Sequence, residues 1–159
     1  PNKESHKELS SQENSPQTED ILPAGARILR RYKIESFLYR KGDYQVYQVG
    51  NILTGSSEFS LRILCQERVD DVYSFAKFEK EARFLAGFRH PNLIRLYDYG
   101  ISESGRPFML LERLAGKTLS EFISENRAIS YHAALPVFAQ LCDLLSEAHK
   151  AGIIHRQLS

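Results

Sequence analysis

No charge of either sign dominates this chain: 21 lysines and arginines stand against 20 aspartates and glutamates, a net charge of +1. That balance removes the electrostatic ground for nucleic acid or an anionic membrane as a partner. Cysteine is scarce, with only Cys65 and Cys142. Both lie in apolar stretches without metal-ligand spacing, so the sequence predicts two buried, reduced thiols and an intracellular protein, with neither a disulfide nor a metal site. No apolar run approaches the ~20 residues of a membrane-spanning helix, and the polar opening of the chain has no signal-peptide core. A soluble, cytoplasmic protein is expected. Methionine occurs once, at Met109, and the chain opens on Pro1, so it reads as cut from something longer.

What the chain does have is enough apolar material for a core. Its 159 residues are 42% hydrophobic, with nine Phe and eight Tyr, which suits one globular domain. Residues 1–20 are Ser, Glu, Gln, Asn, Lys and Pro with almost nothing apolar, and they read as a flexible tail. Beyond Leu22-Pro23-Ala24-Gly25, the alternation of Tyr32, Ile34, Ser36 and Leu38 predicts a strand, and Tyr44 to Val49 a second. Gly42-Asp43 lies near the tip of the hairpin joining them. Thr54-Gly55 turns the chain into a third strand, Glu58 to Leu64, with Phe59, Leu61 and Ile63 on one face.

Phe75, Phe78, Ala82, Leu85 and Phe88 then recur at helical spacing, so Val72 to Phe88 is expected to be an amphipathic helix, stopped before Pro91. Leu93 to Tyr99 and Phe108 to Leu111 read as two more strands around the turn Ser102-Glu103-Ser104-Gly105. Thr118-Leu119-Ser120-Glu121 has capping-box spacing for a short helix to about Glu125. Ala134, Phe138, Leu141, Leu145 and Ala148 stripe a longer one from Ser130 to Lys150, which contains Pro136 and stops at Gly152. The fold class is therefore α+β: a five-stranded antiparallel sheet plus one helix, followed by helices.

Three segments in this order carry a resemblance. They are Phe78-Glu79-Lys80-Glu81-Ala82 leading into His90-Pro91-Asn92; Leu110-Leu111-Glu112-Arg113-Leu114-Ala115-Gly116; and Ala148-His149-Lys150-Ala151-Gly152-Ile153-Ile154-His155-Arg156. Each is modest alone, but their joint order and spacing resembles the eukaryotic-like (Hanks-type) serine/threonine protein kinases over Ile28 to Ser159. The entry from Leu22 to Tyr32 is similar to the bacterial members. The resemblance implies a small lobe over residues 21–112, then a hinge and the start of a helical large lobe over 113–159, truncated at the catalytic loop.

It also exposes departures from the family. His155-Arg156-Gln157-Leu158 stands where a kinase has His-Arg-Asp-Leu, and the aspartate there accepts the substrate proton. An amide cannot take that proton, so no catalytic residue is expected, only Gln157 flanked by His155 and Arg156. The phosphate-cradling glycines of the family fall at Tyr39, Lys41 and Tyr44, and none is glycine here. Gly42 alone remains in that loop, and it reads more simply as a hairpin-turn residue.

Arg62 takes the place of the phosphate-gripping lysine, with Glu81 as its natural partner. Two readings of that pair stand side by side, a structural ion pair and one that still touches a nucleotide. The backbone of Glu112 and Leu114 and the apolar side chains of Leu38, Val46 and Leu111 can form an adenine pocket, or serve as ordinary core. The nucleotide-binding set implied by the resemblance is thus Leu38, Gly42, Val46, Arg62, Glu81, Leu111, Glu112 and Leu114. ATP is expected to bind weakly if at all, Mg²⁺ is not expected, and a protein partner is. Three functions fit: a pseudokinase acting as a regulatory or protein-binding module, the amino-terminal part of an active kinase with an atypical site, and a nucleotide sensor without turnover.

Overall fold

The computed structural model describes residues 20–56 and 58–153. Among the described residues, the elements of regular structure follow in order: strands β1 (Arg27–Ile28), β2 (Tyr32–Lys41), β3 (Tyr44–Asn51) and β4 (Phe59–Leu64), a 3₁₀ turn (Gln66–Arg68), helix α1 (Val72–Gly87), strands β5 (Leu96–Ile101) and β6 (Pro107–Glu112), and helices α2 (Leu119–Asn126) and α3 (Tyr131–Lys150). The strands form one antiparallel sheet ordered β1-β2-β3-β4-β6-β5. The α+β reading holds, and the sheet gains a sixth strand, the two-residue β1, too short to carry an alternating pattern.

Alternation sorts the side chains onto two cores, one on each side of the sheet. Ile34, Tyr47, Val49, Leu61, Ile63, Phe108 and Leu110 face outward into a core that the amino-terminal segment covers with Leu22, Ala26, Ile28 and Leu29. On the opposite face, Leu64, Met109 and Leu111 meet Phe78, Ala82 and Leu85 of α1. Full burial of a side chain such as Phe78 or Leu85 stabilises the fold by about 1.5–3 kcal/mol. Helix α1 starts where the Asp71 side chain accepts a hydrogen bond from Tyr73 N–H at 3.1 Å, and it ends with Phe88 in extended backbone two residues before the His90-Pro91 step.

Several expectations shift. Leu93 and Ile94 pack on the inner core within a turn closed by Leu93 N–H on the His90 carbonyl, so β5 begins only at Leu96, opposite Leu111. Two irregularities in β2, between Ile34 and Ser36 and between Phe37 and Tyr39, reset its alternation and leave Leu38 exposed. Leu29 and Arg30 form the β1–β2 turn with φ of 53° and 56°, a left-handed pair without glycine. Such backbone costs about 1–3 kcal/mol per residue, and it persists here between the buried pair Ile28 and Tyr32 while Leu29 packs on the outer core.

Helices α2 and α3 carry the caps expected, Thr118 with Glu121 in a capping box and Ser130 on Ala133 N–H. α3 runs through Pro136 and buries only Ala148 among its described residues, so Cys142 is exposed, contrary to the expected burial. Cys65 is buried, and burial pushes its thiol pKa up.

Candidate functional site

The sheet register sets the centre of the site. Val46 on β3 opposes Arg62 on β4, and Arg62 opposes Met109 on β6, which puts the three side chains in one row on the α1 side. Arg62 reaches Glu81 on α1 and makes an ion pair with it. Its guanidinium also lies over the Tyr44 ring, 4.5 Å from the centroid, a cation–π contact. The Arg62 side chain is 17% exposed and that of Glu81 41%. Arg62 Nε is buried without a hydrogen-bond partner among the described residues. Burial raises the Tyr44 hydroxyl pKa, with the Arg62 charge pulling the other way.

Sequence reasoning brought Arg62 and Glu81 together, and they do meet. It missed Tyr44 as the third member, although Tyr44 stood out as a bulky residue where the family has glycine. Val46 and Leu111 are buried, at 5% and 2% exposure. Leu38 lies further out on the hairpin, half exposed. Gly42 has φ of 57° with open space around the position of a Cβ, so it serves the two-residue turn of the β2–β3 hairpin.

Past β6 the backbone is committed in part. Glu112 N–H donates to the Arg95 carbonyl and Arg113 N–H to the Glu58 carbonyl, both at 2.9 Å, while the Glu112 carboxylate accepts from Arg95 N–H at 3.0 Å. Leu114 follows, exposed. Two bonds fasten α3 to the loop after α1: His90 Nε2 to Asp143 at 3.2 Å and Asn92 Nδ2 to the Gln140 carbonyl at 3.3 Å. His155, Arg156 and Gln157 lie outside the described residues.

A second polar centre was not foreseen. Arg106, 3% exposed, donates to the Leu64 carbonyl at 2.7 Å, to Gln45 Oε1 at 2.8 Å and to Asp20 Oδ1 at 3.0 Å. Asp20 also accepts from Gln45 Nε2 and from Gln66 N–H, and Tyr47 OH donates to Gln45 Oε1 while accepting from Leu22 N–H. Asp20 therefore belongs to the folded domain, a correction to the expected tail boundary. The signal was present in the sequence, since Gln45 shares strand parity with the buried Tyr47. The carboxylates of Asp20 and Glu67 and the Cys65 thiol lie within 4.8 Å of one another. Arg106 and Arg40 already neutralise the two carboxylates, so this cluster is salt-bridged, not poised for a metal.

Comparison with known proteins decides the family, for the model of the protein kinase domain matches residues 42–158, well over half of the chain. The chain belongs to the protein kinase domain family. Among curated proteins, this kinase-family chain is 28% identical over 144 residues to the serine/threonine-protein kinase pkn3 of Myxococcus xanthus, covering 91% of the chain and 26% of that protein. It is 29% identical over 134 residues to the serine/threonine-protein kinase PrkC of Bacillus subtilis, covering 84% of the chain and 20% of that protein. The chain thus spans about a quarter or less of the length of these relatives. The solved kinase domain of PknI from Mycobacterium tuberculosis superposes with a TM-score of 0.72 at 18% identity, over 87% of this chain and 55% of that one. That likeness is one of fold. No helix among the described residues is long and apolar enough to cross a membrane.

Proposed function

We propose that the chain is the kinase-fold part of a pseudokinase, a regulatory or protein-binding module in cytoplasmic signalling that binds ATP weakly or not at all. The observation that carries this reading is the Tyr44 ring against the Arg62 guanidinium, at a position where the family has glycine. In a kinase the charge at the Arg62 position grips the α and β phosphates. Here that charge is covered by the Tyr44 ring, while its pairing with Glu81 is one that an active kinase also makes. The residues present fit a triphosphate poorly, because Tyr39, Lys41 and Tyr44 put side chains where bare backbone would have to approach it.

Gln157 supports the same conclusion from the sequence, since an amide accepts no proton at neutral pH. On this reading residues 21–112 form the small lobe, and 113–159 the hinge and the start of the large one. The adenine side, with Val46 and Leu111 as walls and the Glu112 carbonyl and Leu114 N–H as polar groups, is the part still able to take a base.

The second reading, an active kinase with an atypical site, draws on the Arg62–Glu81 pair itself and on relatives that are named as serine/threonine kinases. Incubation of the intact protein that carries this sequence with saturating labelled ATP and Mg²⁺ separates the two. The expected result is no phosphate on the protein or on a general acceptor such as myelin basic protein. Robust incorporation, abolished by Arg62→Ala, would establish the second reading.

A further inference from the structure

The tip of the β2–β3 hairpin is fastened to the approach of α1 by four contacts that the site described above does not use. Arg40 on β2 pairs with Glu67 in the 3₁₀ turn. Asp43, at the tip, lies 3.3 Å from Arg68 Nε through one carboxylate oxygen and 3.2 Å from Ser74 Oγ in the first turn of α1 through the other. Its carbonyl accepts from Cys65 N–H at 2.8 Å. Ser74 is 4% exposed, and its hydroxyl lies 2.7 Å from Asp71, the α1 cap, so the tip shares a hydroxyl with the cap of the helix. Behind them Asp20 holds Gln66 N–H at 3.2 Å, which ties the same turn to the buried Arg106.

We infer that this set is a latch that makes the hairpin and α1 one mechanical body, with Asp43 as its pin and the Arg40–Glu67 pair beside it. The inference rests on reading the β2–β3 hairpin as the loop a nucleotide would have to meet, and it adds the regulation of that loop. Tyr44, next to the pin, closes on Arg62, and Arg62 holds Glu81 on the same helix, so the body is joined at the start and at the middle of α1. A hairpin fixed in this way does not close over a ligand independently of the helix. A partner that displaces α1 must therefore also lift the hairpin, and a ligand that lifts the hairpin must shift α1 by the same coupling free energy. Each exposed ion pair is weak alone and screened by salt, so the latch is a reversible one.

Amide hydrogen exchange on the whole chain tests this, with peptides covering residues 39–45 and 66–76. Asp43→Ala should speed exchange in both segments together by about 3- to 10-fold at unchanged protection of β6, and 0.5 M salt should act in the same direction. Arg40→Glu and Glu67→Arg should each loosen both segments, and the double variant R40E/E67R should restore protection. A hairpin that loosens while 66–76 keeps its protection would overturn the latch, as would a double variant no better than the single ones. No nucleotide enters this experiment, so its outcome is independent of whether ATP binds.

Discussion

Arg106 shows how much one residue outside the cleft contributes to the fold. Its guanidinium is nearly inaccessible, and Asp20 is the only carboxylate paired with it among the described residues. Removing one partner of a buried pair leaves an uncompensated charge, a cost of about 3–5 kcal/mol, reduced here toward ~3 because the Asp20 side chain retains 18% exposure. Asp20→Ala is therefore expected to lower the free energy of unfolding in urea by about 3 kcal/mol, with Asp20→Asn falling between the two because it keeps a hydrogen-bond acceptor. A loss under ~1 kcal/mol would mean that water replaces the carboxylate. Cys65, beside this network, is a packed thiol whose raised pKa comes first from burial.

Among the elements, α1 carries the site, and its start is held by carboxylates. Ser74 and the Tyr73 N–H hold the Asp71 carboxyl below its ordinary range. Burial alone would raise Glu67, but its own backbone N–H and the Arg40 guanidinium outweigh that and keep it low. Both groups bind protons less readily folded than unfolded, so their contribution is present above the unfolded pKa, near ~4, and is lost as pH falls through the lower folded values. Stability measured by urea midpoint should drop on acidification below about pH 4, and Asp71→Asn, which still caps the helix but does not titrate, should flatten that drop by lowering stability at about pH 6 more than at about pH 3. An identical acid profile in the variant would remove Asp71 from the account.

The elements also show what was legible. Alternation in β3 and β4 and the Phe78-Ala82-Leu85 stripe were readable because each meets its core over several consecutive turns or residues. The start of β5 was not, since apolar Leu93 and Ile94 look like strand but cover the end of α1. Nor was Cys142, because an apolar stripe on α3 does not say whether another layer covers it. The latch was invisible for a different reason. Arg40 and Glu67 lie 27 residues apart, Asp43 and Ser74 31, and only the folded hairpin brings them together. By contrast, Arg62 and Glu81 were readable in sequence because the family resemblance supplied the pairing.

At the scale of the whole molecule, one sheet carries a core on each face, and on the α1 side Tyr44 covers Arg62. That picture unites three separate departures in the sequence, at Tyr39-to-Tyr44, Arg62 and Gln157, of which the first two are seen in place. The most direct measurement is a thermal melt of the chain over a titration of ATP with Mg²⁺ to several millimolar. A ligand present at 100 times its Kd would stabilise the fold by about 2.7 kcal/mol, or roughly 5–10 °C for a domain of this size. The wild-type chain is expected to show no saturable shift. A saturable rise of that order with Mg·ATP, reversed by Arg62→Ala, would contradict it, because it would show that Arg62 still serves the phosphates.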